Sequence, residues 1–449
     1  MRRLWSTIAL VVVLGGLFAY IYFALWTRPA TDAVSKQEKV FASIQADKIE
    51  EMKVTSDKGN VTALKKDNGV WQVVAPISAK ADESELSGIM ANLASAQVTR
   101  VVDENPADLK DYGLATPRIE IDFKAAGDKD YHRLFIGEKS PTGTDVFAKR
   151  DAEKRVFLMP TYQESTFNRS TFDLRDKTLL KFDRDKVDGV EVTTGGKSLQ
   201  LAKTGSDWKI ARPIQARGDF SSVEGLIGRV QSAQVKSIVT DEASSADLKK
   251  YGLDKPDVML QVSAGSAKAT LVVGGKADNN TLYARDASRP AVVTIESSLA
   301  DELKKSADDY RRKDIFEFRA FTANRIELTR TGQSIVFEKA KSSGNDAPET
   351  WRRVSPSARD VDKDKMAAFL SKLEGLRAVS FVNSTTKTGL ESPALTVAAK
   401  FDEGKKEERV TFGKSADTVY VARPGEPGAA KIDATDFTDV NSKLDELSK

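Results

Sequence analysis

Trp71, Trp208 and Trp351 each stand five residues ahead of a proline, in WQVVAP, WKIARP and WRRVSP. The three markers are 137 and 143 residues apart, so the chain writes one pattern three times. A repeat at nearly fixed period constrains the fold strongly, because every copy must build the same unit. Eleven residues after each tryptophan comes an aspartate: Asp82, Asp219 and Asp362. Apolar residues then recur at helical spacing, as Leu86, Ile89, Met90, Leu93; Val223, Leu226, Ile227, Val230; and Met366, Phe369, Leu370, Leu373. That i, i+3, i+4, i+7 pattern predicts one buried helix face per copy. The aspartates read as N-caps that accept from free N–H groups of the first turn. In the first copy Glu85 is placed to complete a capping box.

A second marker is Gly-Leu-x-x-Pro, in YGLATP, YGLDKP and TGLESP. After its glycine, Ile119/Ile121/Phe123, Val258/Leu260/Val262 and Leu395/Val397/Ala399 alternate with polar residues, which predicts a strand with one buried face. A strand ending in glycine is expected next, at Gly137, Gly274 and Gly413, then further short strands. A closing helix is expected near 161–172, 296–310 and 435–447. Each copy therefore reads as three strands, a helix, a Gly-Leu-Pro turn, about four antiparallel strands and a helix. Short connections and unalternated helices predict α+β repeats, mainly antiparallel with one or two helices each. The units are residues 39–174, 175–311 and 312–449.

Ahead of them, residues 5–26 form 22 positions without a charge, flanked by Arg2 and Arg3. At about 1.5 Å per residue, a helix of that length covers the roughly 30 Å hydrocarbon core. Trp5 at one end and Tyr20, Tyr22 and Trp26 at the other suit an aromatic belt. The positive-inside rule leaves residues 1–4 cytoplasmic and exports the rest. The competing reading is a cleaved signal peptide, whose apolar region is only about 7–15 residues. The expectation is an uncleaved signal-anchor helix in a cytoplasmic (inner) membrane, with residues 27–38 as a linker. Residues 27–449 would then be periplasmic or otherwise extracytoplasmic. Absence of cysteine removes a lipoprotein anchor and suits an oxidising compartment. With 69 basic and 66 acidic residues, no global field exists to hold nucleic acid.

Fragments of catalytic motifs occur, each with a plainer reading. Gly196-Lys197-Ser198 and Gly413-Lys414-Ser415 resemble the end of a phosphate loop, but Glu191 and Glu408 stand where its first glycine is needed. Asp360-x-Asp362-x-Asp364 starts like a calcium loop, but Lys365 replaces the turn glycine and Ser371 the bidentate glutamate. His132 is the sole histidine, so a multi-histidine metal site is excluded. Its counterparts in the other copies are Ala269 and Glu408, so it reads as an exposed bystander rather than a general base. The three tryptophans read as core rather than a binding platform. No catalytic, cofactor-binding or metal residue is assigned, and no cofactor is expected.

The Trp-x4-Pro turn, the Gly-Leu-x-x-Pro turn and Leu-Arg-Asp-Lys at 174–177 together resemble a bacterial family, the domain of unknown function numbered 4340. The resemblance spans about 39–449 and is looser in the third copy, where Thr388 replaces the tyrosine. It implies membrane-tethered repeats associated with the permease or auxiliary subunits of gliding-motility-type ABC exporters, and it carries no catalytic residues. The expected role is a non-enzymatic scaffold or accessory subunit. Two alternatives stay open. An envelope enzyme acting on glycan or peptide predicts convergent acids in one copy only. A ligand receptor predicts an apolar cleft between repeats.

Overall fold

The computed structural model describes Gly16 and residues 38–330, 332–340 and 350–448. The expected anchor at 5–26 and linker at 27–38 lie outside them, apart from Gly16 and Glu38. Among the described residues no helix is long and apolar enough to cross a membrane. The chain divides into two compact units, Met1–Lys177 and Thr178–Lys449. The first holds one repeat and the second holds two.

In the first repeat the strands are β1 (Ile49–Thr55), β2 (Val61–Asp67), β3 (Val70–Ala75), β4 (Ala79–Lys80), β5 (Arg100–Asp103), β6 (Ile119–Ala125), β7 (His132–Lys139), β8 (Asp145–Arg150) and β9 (Val156–Pro160). They form one antiparallel sheet in the order β4-β3-β2-β1-β6-β7-β8-β9-β5. Helix α1 (Glu83–Ser95) follows β4, and α2 (Tyr162–Phe167) closes the unit. The second and third repeats build nine-stranded sheets in the same order, over 187–296 and 323–432. Their helices are α3 (Phe220–Ser232), α4 (Ser245–Lys250), α5 (Ser297–Leu303), α6 (Lys363–Glu374) and α7 (Ala434–Ser448). The molecule is thus a tandem α+β repeat.

The helix faces expected from the apolar spacing are the buried ones in α1, α3 and α6, residue for residue. Burying a Leu or Ile is worth about 1.5–3 kcal/mol, so four such positions hold each helix to its sheet. Asp82 accepts from the N–H of Ser84 and Glu85, Asp219 from Ser222 and Asp362 from Lys365. Glu85 does not complete the capping box, because its carboxylate lies 3.0 Å from Arg169 instead. The reciprocal pair occurs at Ser244 and Asp247, at the start of α4. Trp71, Trp208 and Trp351 are buried in their own cores, and each following proline closes a cis peptide bond.

Four further expectations are corrected. The strands run on past Gly137, Gly274 and Gly413 rather than ending there. A Cβ at Gly137 would collide with the Tyr112 carbonyl, and one at Gly274 or Gly413 with the matching carbonyl of Tyr251 or Thr388. The Gly-Leu turn and the strand glycine are therefore two sides of one close approach, which only glycine permits. Two short strands, β4 and β5, were not expected; two to four residues are too few to show a period. The second repeat holds three helices instead of one or two. Finally, α2 and α5 are shorter than expected, since Asn168 and Lys304 cap them.

In each repeat an arginine donates to a backbone carbonyl of the segment that leads into it. Arg150 donates to the Val40 carbonyl, Arg289 to Thr178 at 3.3 Å and Arg423 to Ile315 at 2.5 Å. The residues leaving a repeat also return to its first helix. The Asp82 N–H donates to Leu174 at 2.9 Å, and the Asp219 N–H to Tyr310 at 2.7 Å.

Candidate functional site: the joint of the second and third repeats

The residues weighed as fragments of catalytic motifs fall into structural roles. Gly195 and Gly196 make the two-residue hairpin turn before Lys197, at φ +54° and +77°, which a primed turn requires. Ser198 Oγ donates to Glu191 at 2.7 Å. Gly413, Lys414 and Ser415 are strand residues. Asp360 pairs with Arg352 at 3.2 Å, and Asp362 caps α6. His132 is half-buried rather than an exposed bystander. It meets Phe41 edge-on and Phe123 at a tilt, with ring centroids 5.9 and 5.5 Å away, and its nitrogens lie 3.5 and 3.8 Å from Asp128 and Asp151.

Within the second unit, the joint between its two repeats gathers six ionic side chains. Arg217 and Arg311 come from the second repeat; Glu317, Glu408, Arg423 and Glu426 come from the third. Arg217 Nε donates to Glu426 at 2.5 Å, and its Nη2 donates to the Asp314 carbonyl at 3.0 Å. Arg311 is only 3% exposed, donates to Glu426 at 3.3 Å and to the Pro427 carbonyl at 3.1 Å, and lies 4.1 Å above the Phe381 ring. Glu408 is 6% exposed and accepts from the N–H of Glu317 and Phe318, both at 2.9 Å, and from Arg423 at 2.6 Å.

Three arginines thus face three glutamates, and buried charges are tolerated only when paired in this way. Burial pushes the Glu426 carboxyl up, but the guanidiniums of Arg217 and Arg311 outweigh it and hold it below the usual range. Beside this network opens a cleft of about 530 Å³, between Thr204, Lys209 and Ala216 on one side and Glu317, Arg423 and Glu426 on the other. Its lining mixes these charged groups with Ala202, Ile210, Ala211 and Pro424.

The joint left a faint trace in the sequence. Counting from the tryptophans, Arg217 corresponds to Lys80, and counting from the following proline, Glu426 corresponds to Arg289. The first repeat has Glu153 at that second position, so it is Arg289 that departs, and nothing local names the partner of Glu426.

One acidic pair is confined to the first repeat. Glu120 and Asp122 point to the same face of β6, where the second repeat has Met259 and Gln261 and the third has Thr396 and Ala398. Asp122 is 8% exposed, and Lys53 and Arg133 flank it at 3.7 Å on either side. Its Oδ1 has no hydrogen-bond partner. Burial and the neighbouring Asp122 push the Glu120 carboxyl up.

Fold and joint together define a tandem-repeat α+β protein. The chain belongs to the family described as Domain of unknown function (DUF4340), whose model matches residues 71–212, 208–393 and 351–449. Each matched stretch begins at one of the three tryptophans, inside a sheet, so the family period is offset from the folded unit. No curated protein matches the chain. A DNA polymerase sliding clamp from Pseudomonas aeruginosa, solved with a ligand, is 8% identical over 88% of this chain and 93% of that one. Its TM-score of 0.16 carries no argument.

Proposed function

We propose that the protein is a non-enzymatic, membrane-anchored extracytoplasmic scaffold, an accessory subunit of an ABC-type transporter complex. The observation that carries this reading is how the repeated motifs are used. Tryptophans, cap aspartates and turn glycines serve the fold in all three copies, so the repeated residues that stand out build a framework rather than a reaction centre. Repeats of one fold offer a partner several similar units of surface. The uncharged run at 5–26 places that surface at a single-pass anchor in the inner membrane, N-terminus inside. A 12-residue linker spans at most about 40 Å, which keeps the first repeat near the bilayer and raises its effective concentration for a membrane partner. The partners that fit are permease or auxiliary subunits.

Cross-linking mass spectrometry on full-length protein from mildly solubilised membranes tests the proposal. Cross-links to such subunits are expected, with at least a tenfold loss when the chain is released from its anchor. Only self-contacts, or only peptidoglycan, would sink it.

The acids of the first repeat favour a second reading, an envelope enzyme using Glu120 as a general acid beside Asp122. On the scaffold reading Glu120→Gln leaves partner cross-links unchanged and changes stability by less than about 0.5 kcal/mol, as a near-isosteric change at a part-exposed position allows. Loss of glycan or peptide cleavage in that variant, with cross-links intact, would establish the enzyme instead.

A further inference from the structure

The three repeats differ in how the closing helix meets the first hairpin. In the first, the contact is stitched: Thr62 Oγ1 and Thr171 Oγ1 are 2.7 Å apart, and the Asp57 N–H donates to Asn168 Oδ1 at 3.1 Å. In the third, α7 runs on as a long helix, burying Val440, Leu444 and Leu447, with Arg330 donating to Asp445 at 2.6 Å. The second repeat has neither device. Leu199 and Ala307 stand in place of the threonine pair, Lys304 in place of Asn168, and α5 stops at Leu303.

What remains there is a groove of about 480 Å³. Its floor is apolar, formed by Val192, Leu199 and Leu303 with Pro213 beside them. Its rim is cationic. Lys305 is neutralised by Glu302 at 2.7 Å, but Lys197 and Lys304 are exposed and have no carboxylate partner among the described residues. The volume lies in the range of small-molecule sites, roughly 300–1,000 Å³, and such sites combine apolar walls with a few polar groups that fix orientation. Lysines at the mouth of an apolar groove pack their stems along it and present charge to a head group at its entrance.

We propose that this groove binds an anionic amphiphile, with the apolar tail along Val192, Leu199 and Leu303 and a carboxylate or phosphate head between Lys197 and Lys304. The site goes beyond the scaffold reading and does not depend on it.

The test is photo-crosslinking of the full-length chain in nanodiscs of zwitterionic lipid, using a diazirine-bearing dodecanoate and a diazirine-bearing dodecyl phosphate. Mass spectrometry should place the label within 192–199 and 303–307. Lys197→Glu/Lys304→Glu should cut labelling at least tenfold with the melting temperature unchanged. Leu199→Thr/Ala307→Thr, which restores the stitch of the first repeat, should do the same. The charge-reversal pair lies on the exposed rim and keeps the test decisive where the stitch variant fails to fold. Equal labelling by a diazirine-bearing dodecylamine, labelling indifferent to charge reversal, or displacement of the probe by millimolar inorganic phosphate alone would each overturn the proposal. So would a protein segment cross-linked into the groove in the probe's place.

Discussion

His132 and Glu408 occupy the same place in two sheets, yet they hold the chain in different ways. Each faces the third inward residue of the neighbouring strand, Phe123 in one case and Ala399 in the other. Each also meets the segment that leads into its repeat. His132 does so through an edge contact with the Phe41 ring, whereas Glu408 binds the backbone N–H groups of Glu317 and Phe318. In the second repeat the position is Ala269. The inward face of the sheet is common property, and repeats diverge where the sheet receives the incoming chain. A position that is aromatic in one copy, small in the next and anionic in the third serves local joinery, not a shared activity.

That comparison can be broken most forcefully at the tryptophans. If the inward framework is common, Trp71→Ala, Trp208→Ala and Trp351→Ala should each cost about 3–5 kcal/mol, mainly in the unit mutated. Urea unfolding with limited proteolysis reads both quantities. Wild-type stability in any one of the three would show that the copies are not equivalent.

The divergent position gives a smaller but sharper contrast. Glu408→Ala removes the acceptor for two backbone donors and the Arg423 guanidinium, and should cost about 3 kcal/mol in the second unit. His132→Ala, which loses only half-exposed contacts, should cost about 1 kcal/mol in the first. Equal losses would erase the distinction.

The cap aspartates give effects of the size of His132→Ala and add a pH test. Asp219→Ala and Asp362→Ala should each cost about 1 kcal/mol, and Asp82→Ala nearer 2, because Lys177 also binds Asp82 at 2.9 Å. Burial opposes the charge on Asp82, but Lys177 and the helix N–H groups outweigh it and hold the carboxyl below its ordinary range. A depressed folded value contributes stability that is complete above the ordinary aspartate value of ~3.9 and fades as pH falls through the folded one. The gap between wild type and Asp82→Ala should therefore stay constant from neutral pH down to about 4 and close only in stronger acid.

The framework could be read from the residues because its signals are local and written three times. Helix faces, caps, buried tryptophans and the strands after each Gly-Leu turn all appear where the spacing places them. Other features could not be read, for identifiable reasons. The pairing of β5 with β9 joins residues more than fifty positions apart across three intervening strands, with no period of its own. Glu426 meets Arg217 from 209 positions away. The collision that forbids a side chain at Gly137 lies with the Tyr112 carbonyl, a backbone atom that residue patterns do not display. Glu85 fits the spacing of a capping box and was claimed by an arginine 84 positions further on.

The return of each exit segment to its own first helix also bears on how such a chain can lengthen or shorten over evolutionary time. Because Leu174 receives the Asp82 N–H and Tyr310 receives that of Asp219, a cap and its acceptor travel together when the copied stretch begins and ends near residues 178 and 315. A breakpoint just after β9 would separate them and leave one copy without its closing strap. Gene duplication is thereby channelled into whole cassettes of roughly 137 residues, and copy number becomes a character that can change by ones without rebuilding any core.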